Sequence, residues 1–171
     1  MDLNDIFSPR KIYANQGLIH IKQVLLLGEA GAGKTTAVHK LAYDWAVGEW
    51  GQGIRYLYMI AVNSLQESRY LAPSASYIAE TLGTAIALEC FPGLRAESKF
   101  RRVRWVIEQT LSDPSTLVIL DGLDERAGCS RHILQEAMGG PHKLLLTSRP
   151  YGIQSKHRDV DLVVEHKGLS P

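Results

Sequence analysis

Eight consecutive residues, Gly28-Glu29-Ala30-Gly31-Ala32-Gly33-Lys34-Thr35, follow the spacing GxxxxGK[ST]. That spacing suits the capture of a phosphate chain. Glycines let the backbone pass close around phosphate oxygens and turn successive N–H groups inward. A helix that starts there adds the positive end of its dipole. Lys34 then reaches the β- and γ-phosphates of a nucleoside triphosphate, and the Thr35 hydroxyl ligates Mg²⁺. The bland alternative is a glycine-rich turn with a surface lysine. Context weighs against it, because the apolar Val24-Leu25-Leu26-Leu27 comes before the segment and an amphipathic stretch comes after it. The residues expected to hold the nucleotide are Gly28, Glu29, Ala30, Gly31, Ala32, Gly33, Lys34, Thr35 and Thr36.

A second pattern is Leu117-Val118-Ile119-Leu120-Asp121, an apolar run ending in a carboxylate. In an open α/β sheet the C-terminal ends of the strands face the ligand crevice, so Asp121 is placed to hold Mg²⁺ together with Thr35. Gly122-Leu123-Asp124-Glu125 follows at once. Three carboxylates so close together repel unless a cation or a proton intervenes, and a metal with a water to activate is an economical explanation. An acidic surface turn is the plainer reading. Asp124 or Glu125 orients the attacking water; the residues alone do not choose between them.

A third pattern is Leu144-Leu145-Leu146-Thr147-Ser148-Arg149-Pro150, an apolar run leading into two hydroxyls and an arginine. Pro150 turns Arg149 away from helix. The guanidinium then either senses phosphate charge as a fork of donors or pairs with a carboxylate at the sheet edge.

These groups need elements to carry them. Residues 24–27, 56–62, 117–120, 143–147 and 161–164 are short, continuous apolar runs. Runs of this kind without alternation suit strands buried on both faces, hence a parallel sheet. Between them, Ala37, Leu41 and Trp45 recur at i+4, as do Val38, Ala42 and Ala46, making a helical face. Residues 74–88 and 98–111 show similar stripes, and Asp113-Pro114 ends the second. Strands alternating with helices predict a doubly wound α/β domain of three layers. Residues 1–20 read as a lead-in segment and residues 21–171 as the core. Residues 48–53 read as a glycine-rich loop.

Composition narrows the function. The chain's 171 residues amount to about one domain, and a 45% apolar, 22% charged composition is ordinary for a globular fold. A net charge of +1 argues against a dedicated nucleic-acid binder, which is usually strongly basic. Cys90 and Cys129 have no CxxC partner, so neither a disulfide framework nor a zinc site is expected, and a reducing, cytoplasmic setting fits. The first residues, Met1-Asp2-Leu3-Asn4-Asp5, are acidic where an export signal is basic, and no apolar run approaches a membrane span. His39 reads as a solvated helix histidine. Arg101, Arg102 and Arg104 read as a solvated face, with an oligomer contact or arginine finger as the rarer alternative.

Taken together, these segments resemble the NACHT family, a branch of the STAND class of signal-transduction ATPases. Leu3-Asn4-Asp5-Ile6-Phe7-Ser8-Pro9 is similar to the segment before the family's phosphate loop. Residues 28–36 with Lys40-Leu41-Ala42-Tyr43-Asp44-Trp45-Ala46 are similar to its Walker A loop and first helix. Asp121-Gly122-Leu123-Asp124-Glu125 matches its extended Walker B, the most specific of these motifs. Thr147-Ser148-Arg149-Pro150 is similar to its sensor 1 strand end, and residues 163–170 to its last strand and turn, with Leu169 where an aromatic is usual.

The resemblance implies five parallel strands in the order 5-1-4-3-2 and ATP more often than GTP; no Asn-Lys-x-Asp guanine motif occurs. It also implies that the chain is the core of a longer switch. In the family that core continues into helical and winged-helix parts, which supply a phosphate-sensing histidine. None of the six histidines here is assignable to that role. The leading expectation is an ATP- or ADP-bound, slowly hydrolysing regulatory switch of innate-immunity type whose ATP state self-associates. The competing expectations are a stand-alone ATPase or small-molecule kinase and a module that binds ATP without turnover.

Overall fold

The computed structural model describes residues 5–9, 19–51, 53–65, 81–93, 97–125, 131–152 and 160–168. Five strands form one parallel sheet: β1 (Gln23–Leu27), β2 (Tyr56–Ala61), β3 (Thr116–Asp121), β4 (Lys143–Ser148) and β5 (Leu162–Glu165). Among the described residues, four α-helices accompany them: α1 (Lys34–Ala46), α2 (Leu82–Cys90), α3 (Glu97–Leu111) and α4 (Arg131–Gly139). The order across the sheet is β2-β3-β4-β1-β5, which is 5-1-4-3-2 read from the other edge.

Both faces of the central strands are covered, which is why their sequences do not alternate. Val24, Leu26, Leu117, Ile119 and Leu145 pack with Val38 and Leu41 of α1 on one face. Leu25, Val118, Leu120, Leu144 and Leu146 pack with α2, α3 and α4 on the other. Leu117, Val118, Ile119 and Leu120 are all fully buried. At about 1.5–3 kcal/mol for each large aliphatic side chain, these strands are the main source of cohesion.

Several expectations shift in detail. Ile6 is fully buried among the residues packed with α1, so the lead-in contributes to the core. The helix expected over residues 74–88 begins, where described, at Leu82, whose N-cap Thr81 accepts a hydrogen bond from the Thr84 N–H; residues 74–80 lie outside the described residues. Helix α4 answers no stripe singled out in the sequence, yet Ile133, Leu134 and Ala137 are buried on it. His39 is exposed, as are Arg101 and Arg102, whereas Arg104 pairs with Glu108 at 3.3 Å. Cys90 is a free thiol, and burial pushes its pKa up, which disfavours the reactive thiolate. Cys129 lies outside the described residues. Among the described residues, no helix is long and apolar enough to cross a membrane.

His142 ties the end of α3 to the start of β4. It is buried, and its Nδ1 lies 3.1 Å from the Leu111 carbonyl oxygen. Burial lowers its pKa below the ordinary 6.5. The unfolded chain therefore takes up the proton more readily, so stability is full above pH 6.5 and falls as the pH drops below it. The urea midpoint is expected to decrease between pH 7 and pH 5.5, and His142→Gln to flatten that slope.

Candidate nucleotide site

The site is assembled at the C-terminal end of the sheet. Leu27 is in register with Ser148 and with Glu165, and Ala61 with Asp121, so the loops after β1, β2, β3 and β4 emerge level with one another. A tight turn of 3-10 helix follows each of the last three: Val62–Leu65, Leu123–Glu125 and Pro150–Gly152.

After β1 the Gly28 N–H donates to the Ser148 carbonyl at 3.2 Å and starts the loop. Gly31 (φ 75°) and Gly33 (φ 87°) turn it through left-handed conformations that side chains disfavour. Gly33 is the N-cap of α1, with no side-chain cap and no acidic residue in the first turn. The first helical hydrogen bond, from Ala37 N–H to Gly33 O at 2.8 Å, lies beyond Lys34, Thr35 and Thr36. Their N–H groups have no acceptor within the helix and suit an anion. Lys34 Nζ donates to Gly28 O at 2.5 Å and Glu29 O at 3.0 Å, which holds the ammonium against the loop.

The Thr35 hydroxyl donates to Asp121 Oδ2 at 2.8 Å, joining residues 86 positions apart. The other oxygen, Oδ1, accepts from Thr147, whose own hydroxyl accepts from Gly122 N–H at 2.8 Å. Thr147 thereby fixes the carboxylate so that Oδ2 faces the phosphate loop. No cluster of three His, Cys, Asp or Glu that could hold a metal occurs among the described residues. A Thr hydroxyl and one carboxylate suit Mg²⁺, which keeps several waters and takes its remaining ligands from phosphate oxygens.

Asp124 is committed elsewhere. Its Oδ1 accepts from the Arg149 backbone N–H at 3.0 Å, and its Oδ2 lies 3.1 Å from Arg149 Nε. The Asp124 side chain is only 10% exposed, whereas that of Arg149 is 37% exposed, so the carboxylate is sheltered and the guanidinium reaches solvent at the cavity. The expected crowding of carboxylates is relieved here by an arginine. The anticipated carboxylate partner of Arg149 is thus found, although it is met between two central strands instead of at the sheet edge. Arg149 also reaches the exposed Tyr151, with Nη1 3.4 Å from the phenolic oxygen. Glu125 ends the turn after β3, and its side chain lies outside the described residues.

A cavity of about 520 Å³ opens among these groups. Ala30, Gly31, Gly33, Lys34, Thr35, Thr36, Asp121, Asp124 and Arg149 line it, together with Gly122 and Thr147. Gly28, Glu29 and Ala32 do not. Gly28 and Ala32 pack toward the segment after β5, and Glu29 serves through its carbonyl. Ala61 and Asn63, at the end of β2, complete the lining and were not foreseen. No spacing marks them; only their position after a parallel strand does.

A parallel sheet in this order, with a phosphate loop after β1 and an aspartate at the end of β3 bonded to its threonine, defines a nucleotide-binding P-loop NTPase domain. The chain belongs to the NACHT domain family, whose profile matches residues 22–170. It is similar to the mouse (Mus musculus) protein "NACHT, LRR and PYD domains-containing protein 10", with 29% identity over 163 residues. That match covers 91% of this chain but 21% of the relative, so the chain spans about a fifth of that protein's length.

Proposed function

We propose that the chain is the nucleotide switch of a cytoplasmic signalling protein of innate-immunity type: it binds ATP, hydrolyses it slowly, and favours self-association in the ATP state. One observation carries the reading above the rest. The Thr35–Asp121 hydrogen bond joins the phosphate loop to the β3 carboxylate, as a site for a metal-bound triphosphate requires. The left-handed glycines and uncapped start of α1 supply N–H groups for phosphate oxygens, and Lys34 supplies a mobile charge. Thr35 and Asp121 are the residues that would hold Mg²⁺, which when bound would supply charge neutralisation for the phosphate chain. The nucleotide is ATP, with ADP as the product that stays until exchange.

The ion pair supports a division of labour between the two acids. Asp124 is bound twice to Arg149, so it positions that guanidinium near the terminal phosphate. Glu125 then orients the water that attacks the γ-phosphorus, giving ADP and inorganic phosphate. Single-turnover hydrolysis separates the two roles. Glu125→Gln is expected to slow hydrolysis about 100-fold or more while ATP affinity stays within about threefold. Asp124→Asn is expected to weaken ATP binding and lower stability together, because Arg149 loses a charged acceptor. Equal hydrolysis by Glu125→Gln and the parent chain contradicts the assignment. Rapid multiple turnover coupled to a small phosphate acceptor contradicts the switch.

A further inference from the structure

The segment after β5 brings an imidazole to the flank of the phosphate loop. The His166 N–H donates to the Leu27 carbonyl at 2.6 Å, extending the β1–β5 pairing by one residue. The His166 carbonyl oxygen lies 2.9 Å from where a Cβ on Gly28 would stand, and the ring Nε2 lies 3.7 Å from the equivalent point on Gly33. Gly168, at φ +86°, approaches the Ala32 backbone in the same way, at 3.9 Å. The phosphate loop thus rests on residues 166–168, and the half-buried imidazole sits beside its last glycine. Among the described residues, no hydrogen bond to the His166 ring is found.

The strand order gives this placement a direction. Arg149, which is suited to the terminal phosphate, Asp124, which holds it, and Asp121, which would act through Mg²⁺, come from β3, β4 and the turns after them, on one side of β1. His166 comes from β5, on the other side. A triphosphate whose γ-phosphate faces Asp121 and Arg149 leaves the loop with its nucleoside in the opposite direction. We propose that His166 is a nucleotide-contacting residue at the nucleoside end, its ring meeting the sugar–base half of a bound nucleotide. The inference rests on the nucleotide reading above and adds to it a specificity contact away from the hydrolytic groups.

The test compares two probes that share their phosphates. Calorimetric affinities for Mg·ATP and for Mg·tripolyphosphate, which lacks a nucleoside, are measured on the parent chain, His166→Ala, His166→Asn and the exposed neighbour Lys167→Ala. Loss of one ring contact is expected to weaken ATP about tenfold in His166→Ala and to leave tripolyphosphate within about twofold. His166→Asn, which keeps a polar group, recovers part of the loss and serves as the test variant if His166→Ala does not fold. Lys167→Ala changes neither affinity. Equal weakening of both probes means that His166 only supports the loop, and no weakening of either means that it touches nothing; both overturn the inference. A folded parent chain that binds neither probe overturns the nucleotide reading itself.

Discussion

Lys34→Ala is expected to lower ATP affinity about 100-fold or more and to leave the fold intact. The side chain lies at the cavity wall, outside both apolar clusters, and among the described residues its ammonium bonds to the carbonyls of Gly28 and Glu29. Truncation therefore removes no core packing. What it removes is a mobile positive charge with three donors, able to exchange its carbonyl partners for phosphate oxygens. Charge-assisted hydrogen bonds contribute about 1.5–3 kcal/mol each, and losing two of them amounts to roughly two to four decades of affinity. Equilibrium dialysis with labelled ATP checks the loss, and thermal unfolding without nucleotide checks the fold. Unchanged affinity in a folded Lys34→Ala chain contradicts the site. A large drop in the melting temperature contradicts the placement of Lys34 outside the core.

Gly28→Val is expected to damage the site and the fold together. Gly28 is buried and its backbone is not left-handed, so the constraint on it is contact alone. A Cβ there stands 2.9 Å from the His166 carbonyl oxygen, 3.2 Å from Ala32 Cβ and 3.3 Å from Lys34 Cγ. The Lys34 chain can bend away. The His166 backbone cannot do so cheaply, because its N–H is bonded to Leu27. Valine adds two more carbons to this space. Overpacking of this kind costs about 1–3 kcal/mol, or roughly 2–12 °C in melting temperature for a domain of this size. Nucleotide binding is expected to fall below detection, because the loop must part from residues 166–168. Gly31→Ala is the contrast: nothing stands within 4 Å of its added methyl, so only the strain of φ +75° is felt. Calorimetric scanning with ATP titration checks both variants, and a Gly28→Val chain that behaves like Gly31→Ala contradicts the described packing.

Legibility in the sequence followed the physics of each segment. The strands could be read because both faces are buried, so runs such as Leu117-Val118-Ile119-Leu120 carry no polar interruption. The phosphate loop could be read because its conformation depends on glycines at fixed spacing, two of which are left-handed. The strand order came with the family resemblance, since hydrophobic runs carry no information about which strands are neighbours. Helix α4 carries a weak sequence signal because its buried residues, Ile133, Leu134 and Ala137, make a short stripe among polar neighbours. The roles of Asp124 and Glu125 stayed open because both are acids on one turn; only the geometry shows which of them Arg149 holds. The placement of His166 is hidden from local sequence for a related reason. Its position beside Gly33 results from β5 pairing with β1, across more than 130 residues of chain, and leaves no local spacing to read. Its one local sign is Gly168, whose left-handed turn follows two residues later.

Calorimetric titration of the chain with Mg·ATP tests the central claim most directly. The account predicts one saturable site per chain, with binding that weakens when Mg²⁺ is chelated, because Thr35 and Asp121, hydrogen-bonded to each other, are the groups proposed to hold the metal. A folded chain that gives no saturable heat with Mg·ATP, or that binds ATP equally well in the presence of a chelator, would contradict it.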